Sequence, residues 1–86
     1  MNRHIGRKRH HLNGLIRAAA IERGFGYTRA WVEFKARFRV ACHVDLDDAM
    51  DRFERERKTK TNMPAYLEAT GQMDKAIMVA ERLAGK

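Results

Sequence analysis

The sequence is poor in proline, in cysteine and in long hydrophobic runs. It contains one proline and one cysteine, and no uninterrupted apolar run exceeds five residues. One cysteine cannot close an intramolecular disulfide, and a membrane-spanning helix needs about 20 apolar residues. A secretory signal needs an apolar stretch of about 7–15 residues, which does not follow the basic N-terminal segment. We therefore expect a cytoplasmic protein that does not enter a membrane.

Length and composition limit the chain to one hydrophobic core. Its 86 residues are 44% hydrophobic and 34% charged, which is too apolar for a disordered chain and too charged for lipid. Few segments alternate in the way that strands do, whereas apolar residues recur at i, i+3, i+4 and i+7. This pattern predicts an all-α fold, a small single-domain bundle of four to five helices. We divide the chain into a basic N-terminal arm, residues 1–9, and a helical domain, residues 10–86.

Caps, glycines and the one proline predict where the helices begin and end. Thr28 and Asp45 are expected N-caps because their side-chain oxygens can accept a hydrogen bond from the first helical turn. Pro64 suits the first turn of a short helix. We expect helices over residues 10–23, 28–41, 46–58, 64–70 and 72–84. Three aromatic residues share one face of the second helix, and we assign them to the core: Trp31, Phe34 and Phe38.

Acidic residues are scarce in the first half of the chain. Residues 1–40 hold ten lysines and arginines against two acidic residues, a net charge of +8, whereas residues 41–86 hold eight against nine, a net charge of −1. Such a surface attracts polyanions, because each neutralised phosphate releases condensed counterions. A merely solvated positive face is the competing interpretation. Ten cations are candidate nucleic-acid contacts: Arg3, Arg7, Lys8, Arg9, Arg17, Arg23, Arg29, Lys35, Arg37 and Arg39.

Residues that could carry chemistry do not form a catalytic or metal-binding set. Cys42 and His43 are neighbours near a helix end, so their side chains project about 100° apart and no third group orients them. The four histidines include no H-x-x-x-H pair. The acidic cluster of residues 45–51 lacks the glycine and the terminal glutamate of a calcium loop. We expect no enzymatic activity, no cofactor and no metal.

The order of the motifs resembles a known family. A helix over residues 12–23 leads into the turn Gly24-Phe25-Gly26-Tyr27 and then into the basic aromatic stretch of residues 29–40, which ends in Arg-Phe-Arg-Val. Residues 73–77, Met-Asp-Lys-Ala-Ile, lie in the last helix. This arrangement resembles the C-terminal accessory domain of phage antirepressor proteins, in which residues 45–70 have no counterpart. The resemblance implies a phage or prophage context and not a particular reaction.

These observations predict a small phage or prophage regulatory protein that binds DNA or RNA through its basic N-terminal half. Residues 3–9 would contact phosphates or enter a minor groove, and Phe25 and Tyr27 are candidates for stacking on unpaired bases. The alternative is a non-enzymatic protein that binds or inhibits a host or phage regulatory protein. It would use the acidic second half or residues 63–67, and five methionines suit an adaptable contact. DNA and RNA are not distinguished, and a homodimer is left open.

Overall fold

Five α-helices make up residues 3–85, the part of the chain that the computed structural model describes; side chains are described from residue 7 onward. In chain order they are α1 (Arg3–Arg23), α2 (Tyr27–Cys42), α3 (Leu46–Arg57), α4 (Met63–Ala69) and α5 (Met73–Leu83). No strand occurs between residues 3 and 85. The predicted all-α bundle is confirmed. None of the described helices is long and apolar enough to cross a membrane.

The core lies between α1, α2 and α5, which pack against one another. α3 packs against α2 and α4, and α4 also contacts α1 and α5. The predicted core role of the α2 aromatic face is confirmed for two phenylalanines, whereas Trp31 lies at the edge of the core and is half-buried. The largest fully buried side chains of the three central helices are Leu12, Ile16, Phe34, Phe38 and Leu83.

α1 begins at Arg3, well before the predicted start at His10. The apolar pattern does not predict these two turns because their residues are mostly polar. Two ion pairs join the end of this segment to other helices: Arg9 with the nearly buried Glu68 of α4, and Lys8 with the exposed Asp74 of α5. The basic segment from residue 3 to residue 9 is therefore helical and continuous with the rest of α1. Residues 1 and 2 of the predicted arm lie outside the described residues.

The turn between α1 and α2 depends on its glycines. Gly24 has a φ of +71°, which a residue with a Cβ rarely adopts, and the next amide, that of Phe25, donates to the carbonyl of Ala20 at 3.0 Å. The prediction of Thr28 as the N-cap of α2 is wrong. Gly26 is the N-cap and uses no side chain, because its extended backbone already places its carbonyl to accept from the amide of Ala30 at 2.9 Å.

Two side chains cap the later helices. The Asp45 carboxylate accepts from the amide of Asp48 at 3.2 Å, which confirms the predicted cap of α3. The Asn62 side chain accepts from the amide of Ala65 at 2.9 Å and caps α4, so that Pro64 falls in the first turn. These caps satisfy amides that have no partner within the helix.

Replacing Asp45 with alanine should lower the free energy of unfolding by about 1 kcal/mol, because the cap loses its acceptor oxygen. Asp45→Asn keeps an acceptor and should lie within about 0.5 kcal/mol of the wild type. Urea denaturation followed by circular dichroism measures both values. Equal losses in the two variants would show that the charge, and not the hydrogen bond, stabilises this helix start.

Candidate nucleic-acid interface

The solvent side of α1 carries positive charge without acidic interruption. At about 100° per residue, six of its exposed positions between Arg7 and Ile21 fall within roughly 120° of arc. No Asp or Glu occurs in α1 before Glu22. A Cβ built on Gly14 meets nothing within 4 Å, so the middle of this side is open. We call it the α1 outer face and define it by Arg7, His10, His11, Gly14, Arg17 and Ile21, all exposed.

An exposed aromatic ring extends the α1 outer face toward α2. The guanidinium carbon of Arg17 lies 6.0 Å from the ring centroid of Tyr27, which is 43% exposed. Tyr27 is thus accessible for stacking, as predicted for a residue in this turn. Phe25 is less accessible, because it is half-buried against the core and Arg29 lies over its ring at 5.8 Å. The two aromatic candidates are therefore not equivalent.

Carboxylates of later helices compensate several of the predicted contact residues. Lys8 Nζ lies 2.9 Å from Asp74, and Lys35 Nζ lies 3.0 Å from Asp47. Both carboxylates are more than two-thirds exposed, and exposed ion pairs contribute little free energy in water. A phosphate can therefore replace either carboxylate at small cost.

Arg9 is held more firmly. Its guanidinium donates to Oε1 of Glu68, whose side chain is only 11% exposed. The other oxygen, Oε2, is buried and accepts no hydrogen bond among the described residues. Moving Arg9 away would leave a carboxylate in a poorly solvated position, which is costly. Arg9 therefore joins α1 to α4 and is unavailable to a ligand while this pair is intact.

The remaining predicted cations lie on different sides of the bundle. Arg23 donates from Nε to the carbonyl of Leu83 at 2.9 Å, which ties the end of α1 to α5. Arg29 lies 3.8 Å from Glu33, a long contact on the surface of α2. Arg37 and Arg39 are exposed and form no ion pair within residues 7–85, but they project about 200° apart around α2.

The ten predicted cations thus do not form one continuous surface. The α1 outer face holds two of them, Arg7 and Arg17, and carboxylates or a carbonyl engage five others, Lys8, Arg9, Arg23, Arg29 and Lys35. The side chain of Arg3 lies outside what is described, although its backbone begins the same helix. Sequence could not separate these groups, because their partners come from helices distant along the chain.

Residues 63–67 are only partly accessible: Met63, Pro64 and Ala65 are half-buried, and the last two residues are not available for docking. Tyr66 is 5% exposed and Leu67 is fully buried, and both belong to the core. The sequence analysis missed a different apolar surface, a groove between α2 and α5 beside the exposed Val40 and Met78. The sequence does hold one signal for this groove: Val40 and Met78 are apolar but fall outside the apolar stripes that predict the buried faces of α2 and α5.

Cys42 is half-buried and unpaired with any other thiol, since the chain has no second cysteine. Its neighbour His43 is exposed and ends α2 with a positive φ of 58°. Within the described part of the chain, no group of three or more His, Cys, Asp or Glu side chains is placed to hold a metal ion.

Comparison with known proteins identifies no relative of this chain. No family model matches the chain, and no curated protein or solved structure is significantly similar to it. The resemblance to the phage antirepressor accessory domain therefore stays a prediction.

Proposed function

We propose that the protein binds nucleic acid through the α1 outer face, which holds the phosphate backbone with little dependence on base sequence. The observation that carries the proposal is the acid-free solvent side of α1, from Arg7 to Ile21. With a rise of 1.5 Å per residue, Arg7 and Arg17 lie about 15 Å apart along the helix. That distance corresponds to roughly four nucleotides of one B-DNA strand, at about 3.4 Å each.

Other charges support binding without defining its centre. The chain carries a net charge of +7, which draws polyanions toward it at low salt. Lys8 and Lys35 can exchange their exposed carboxylates for phosphates, and Tyr27 offers a ring beside Arg17 for an unpaired base. Regulation of transcription in a phage or prophage is the role that the antirepressor resemblance suggests for such a protein.

The test is fluorescence anisotropy with single- and double-stranded DNA and RNA of about 20 nucleotides, over about 50–200 mM salt. We expect the logarithm of the association constant to fall linearly with the logarithm of salt concentration, with a slope of about −2 to −4 on duplex DNA. Such a slope corresponds to roughly two to four neutralised phosphates. Absence of binding to all four ligands at low salt would reject the proposal.

Reversing two charges on the α1 outer face should weaken duplex binding strongly. We expect Arg7→Glu with Arg17→Glu to lower affinity by about 30-fold and to reduce the salt slope by about two, because two phosphate contacts are lost. Both side chains are exposed, so the helix content should be unchanged. Anisotropy titrations at several salt concentrations measure both effects.

The matched control is Lys58→Glu with Lys60→Glu, which changes the net charge equally on the exposed α3–α4 connection. Affinity should fall by less than about threefold, the effect of net charge alone at this ionic strength. An equal loss in the two double variants would show that general charge, and not the α1 outer face, provides the binding.

A further inference from the structure

A second surface, separate from the α1 outer face, combines exposed apolar side chains with positive charge. Two adjoining depressions of about 460 and 500 Å³ lie between α2 and α5 and share Ala41, Val79 and Arg82. Together they form one open groove, which we call the α2–α5 groove. It follows the C-terminal half of α2, residues 33–43, which is roughly 15 Å of helix at 1.5 Å per residue.

Much of the lining of the α2–α5 groove is apolar. Val40, which is 78% exposed, lines one depression, Met78, which is 53% exposed, lines the other, and both depressions share Ala41 and Val79. Val40 and Met78 are among the few large hydrophobic residues that the bundle leaves in water. Covering them would remove apolar surface from water, which favours association.

Positive side chains also line the α2–α5 groove. Arg37, Lys75 and Arg82 line the groove, and none of them forms an ion pair among the described residues. The one acidic lining residue, Glu33, lies at one end and within 3.8 Å of Arg29. An occupant with an apolar stripe and negative flanks would therefore complement the groove in both polarity and charge.

We propose that the α2–α5 groove binds an acidic amphipathic helix of a protein partner, about three turns long. The apolar residues of that helix, spaced at i, i+3 or i+4 and i+7, would cover Val40 and Met78. Its Asp and Glu side chains would flank the stripe and pair with Arg37, Lys75 and Arg82. The groove shares no residue with the α1 outer face, so the protein can contact two ligands of different chemistry.

Two other occupants fit less well. A nucleic-acid backbone would pair with the cations but would gain no free energy from the apolar side chains that line the groove. A second copy of this chain would have to offer acidic helix surface, and three of the five acidic residues of α3 already form ion pairs, one of them, Asp47, with Lys35 of α2. Asp48 pairs with Arg52 at 3.4 Å, and Asp51 pairs with Arg55 at 2.5 Å.

The test uses a defined probe because the partner is unidentified. A fluorescein-labelled peptide of about 14 residues carries leucines at i, i+3, i+4 and i+7, glutamates beside them and alanines at the other positions, so that it can become helical on binding. One control peptide has the same composition in scrambled order, and another replaces every glutamate with lysine. We expect a dissociation constant on the order of 100 μM for the amphipathic acidic peptide and at least about tenfold weaker binding of both controls.

Variants of the protein locate the peptide. Arg37→Glu with Arg82→Glu should weaken binding by about tenfold or more, whereas Arg7→Glu with Arg17→Glu, an equal change of charge elsewhere, should weaken it by less than about threefold. Val40→Ala should weaken it by about threefold to fivefold through lost apolar contact. Methyl NMR signals of Val40, Val79 and Met78 should shift as the peptide is added.

Four results would overturn the proposal. These are no methyl shifts at millimolar peptide, equal binding of the scrambled or lysine peptide, concentration-dependent shifts of the same methyls without any peptide, and shifts of these methyls on addition of duplex DNA. The third would assign the groove to a second copy of the chain, and the fourth to nucleic acid. None of them affects the test of the α1 outer face, which uses other residues.

Discussion

Phe34→Ala is expected to lower the free energy of unfolding by about 3–5 kcal/mol, because it removes a fully buried ring from the centre of the bundle. The ring of Phe34 lies 5.5 Å from that of Trp31 and 5.8 Å from that of Phe38, so its loss opens a cavity between two aromatic neighbours. A chain of this length has about 4–13 kcal/mol of stability in total. Urea denaturation followed by circular dichroism measures the change.

The matched control for Phe34→Ala is Val32→Ala on the same helix. Val32 is 48% exposed, so truncating it should change the free energy of unfolding by less than about 1 kcal/mol. Alanine also has the higher helix propensity, which offsets part of the lost contact. If Phe34→Ala cost no more than Val32→Ala, the packing of α2 against α1 and α5 described here would be incorrect.

The α2 aromatic face was predictable because burial at helical spacing is a local property of the sequence. Phe34 and Phe38 follow from periodicity, and the Asp45 cap follows from a side chain that bonds an amide three residues later. The start of α2 was not predictable in the same way. Thr28 has the better capping side chain, but the backbone of Gly26 turns into the helix first, and this depends on how the glycine turn packs.

The functional surface was less predictable than the fold. Counting charge identified the basic half of the chain, but it could not distinguish Arg7, which is exposed on α1, from Arg9, which binds a residue 59 positions away. That distinction depends on which helices become neighbours. The α2–α5 groove has the same origin, because its α2 residues Val40 and Ala41 and its α5 residues Met78 and Val79 line one groove only when α2 packs against α5.

The exposed residues of the two proposed surfaces contribute little to the stability of the fold, whereas Arg9 contributes much. Exposed residues such as Arg17 and Val40 can be replaced with little effect on folding, so their variants report on binding. Arg9 belongs to the opposite class, since its partner Glu68 is nearly buried. Substituting all basic residues of the first half together would therefore confuse loss of binding with loss of structure.

Arg9→Ala should lower the free energy of unfolding by about 3 kcal/mol, because it leaves the Glu68 carboxylate nearly buried without its partner. The double variant Arg9→Met with Glu68→Leu removes both charges and should recover most of that loss, since apolar replacements can fill the same space. Chemical denaturation of the wild type, Arg9→Met, Glu68→Leu and the double variant gives the coupling free energy.

The variant Arg9→Ala also tests whether Arg9 contacts phosphate. Under conditions where Arg9→Ala stays folded, the slope of affinity for duplex DNA against salt should equal that of the wild type, whereas Arg7→Ala should reduce it by about one. A reduced slope together with unchanged stability would contradict the structural role of Arg9. It would mean that the pair with Glu68 opens readily and that Arg9 joins the α1 outer face when nucleic acid binds.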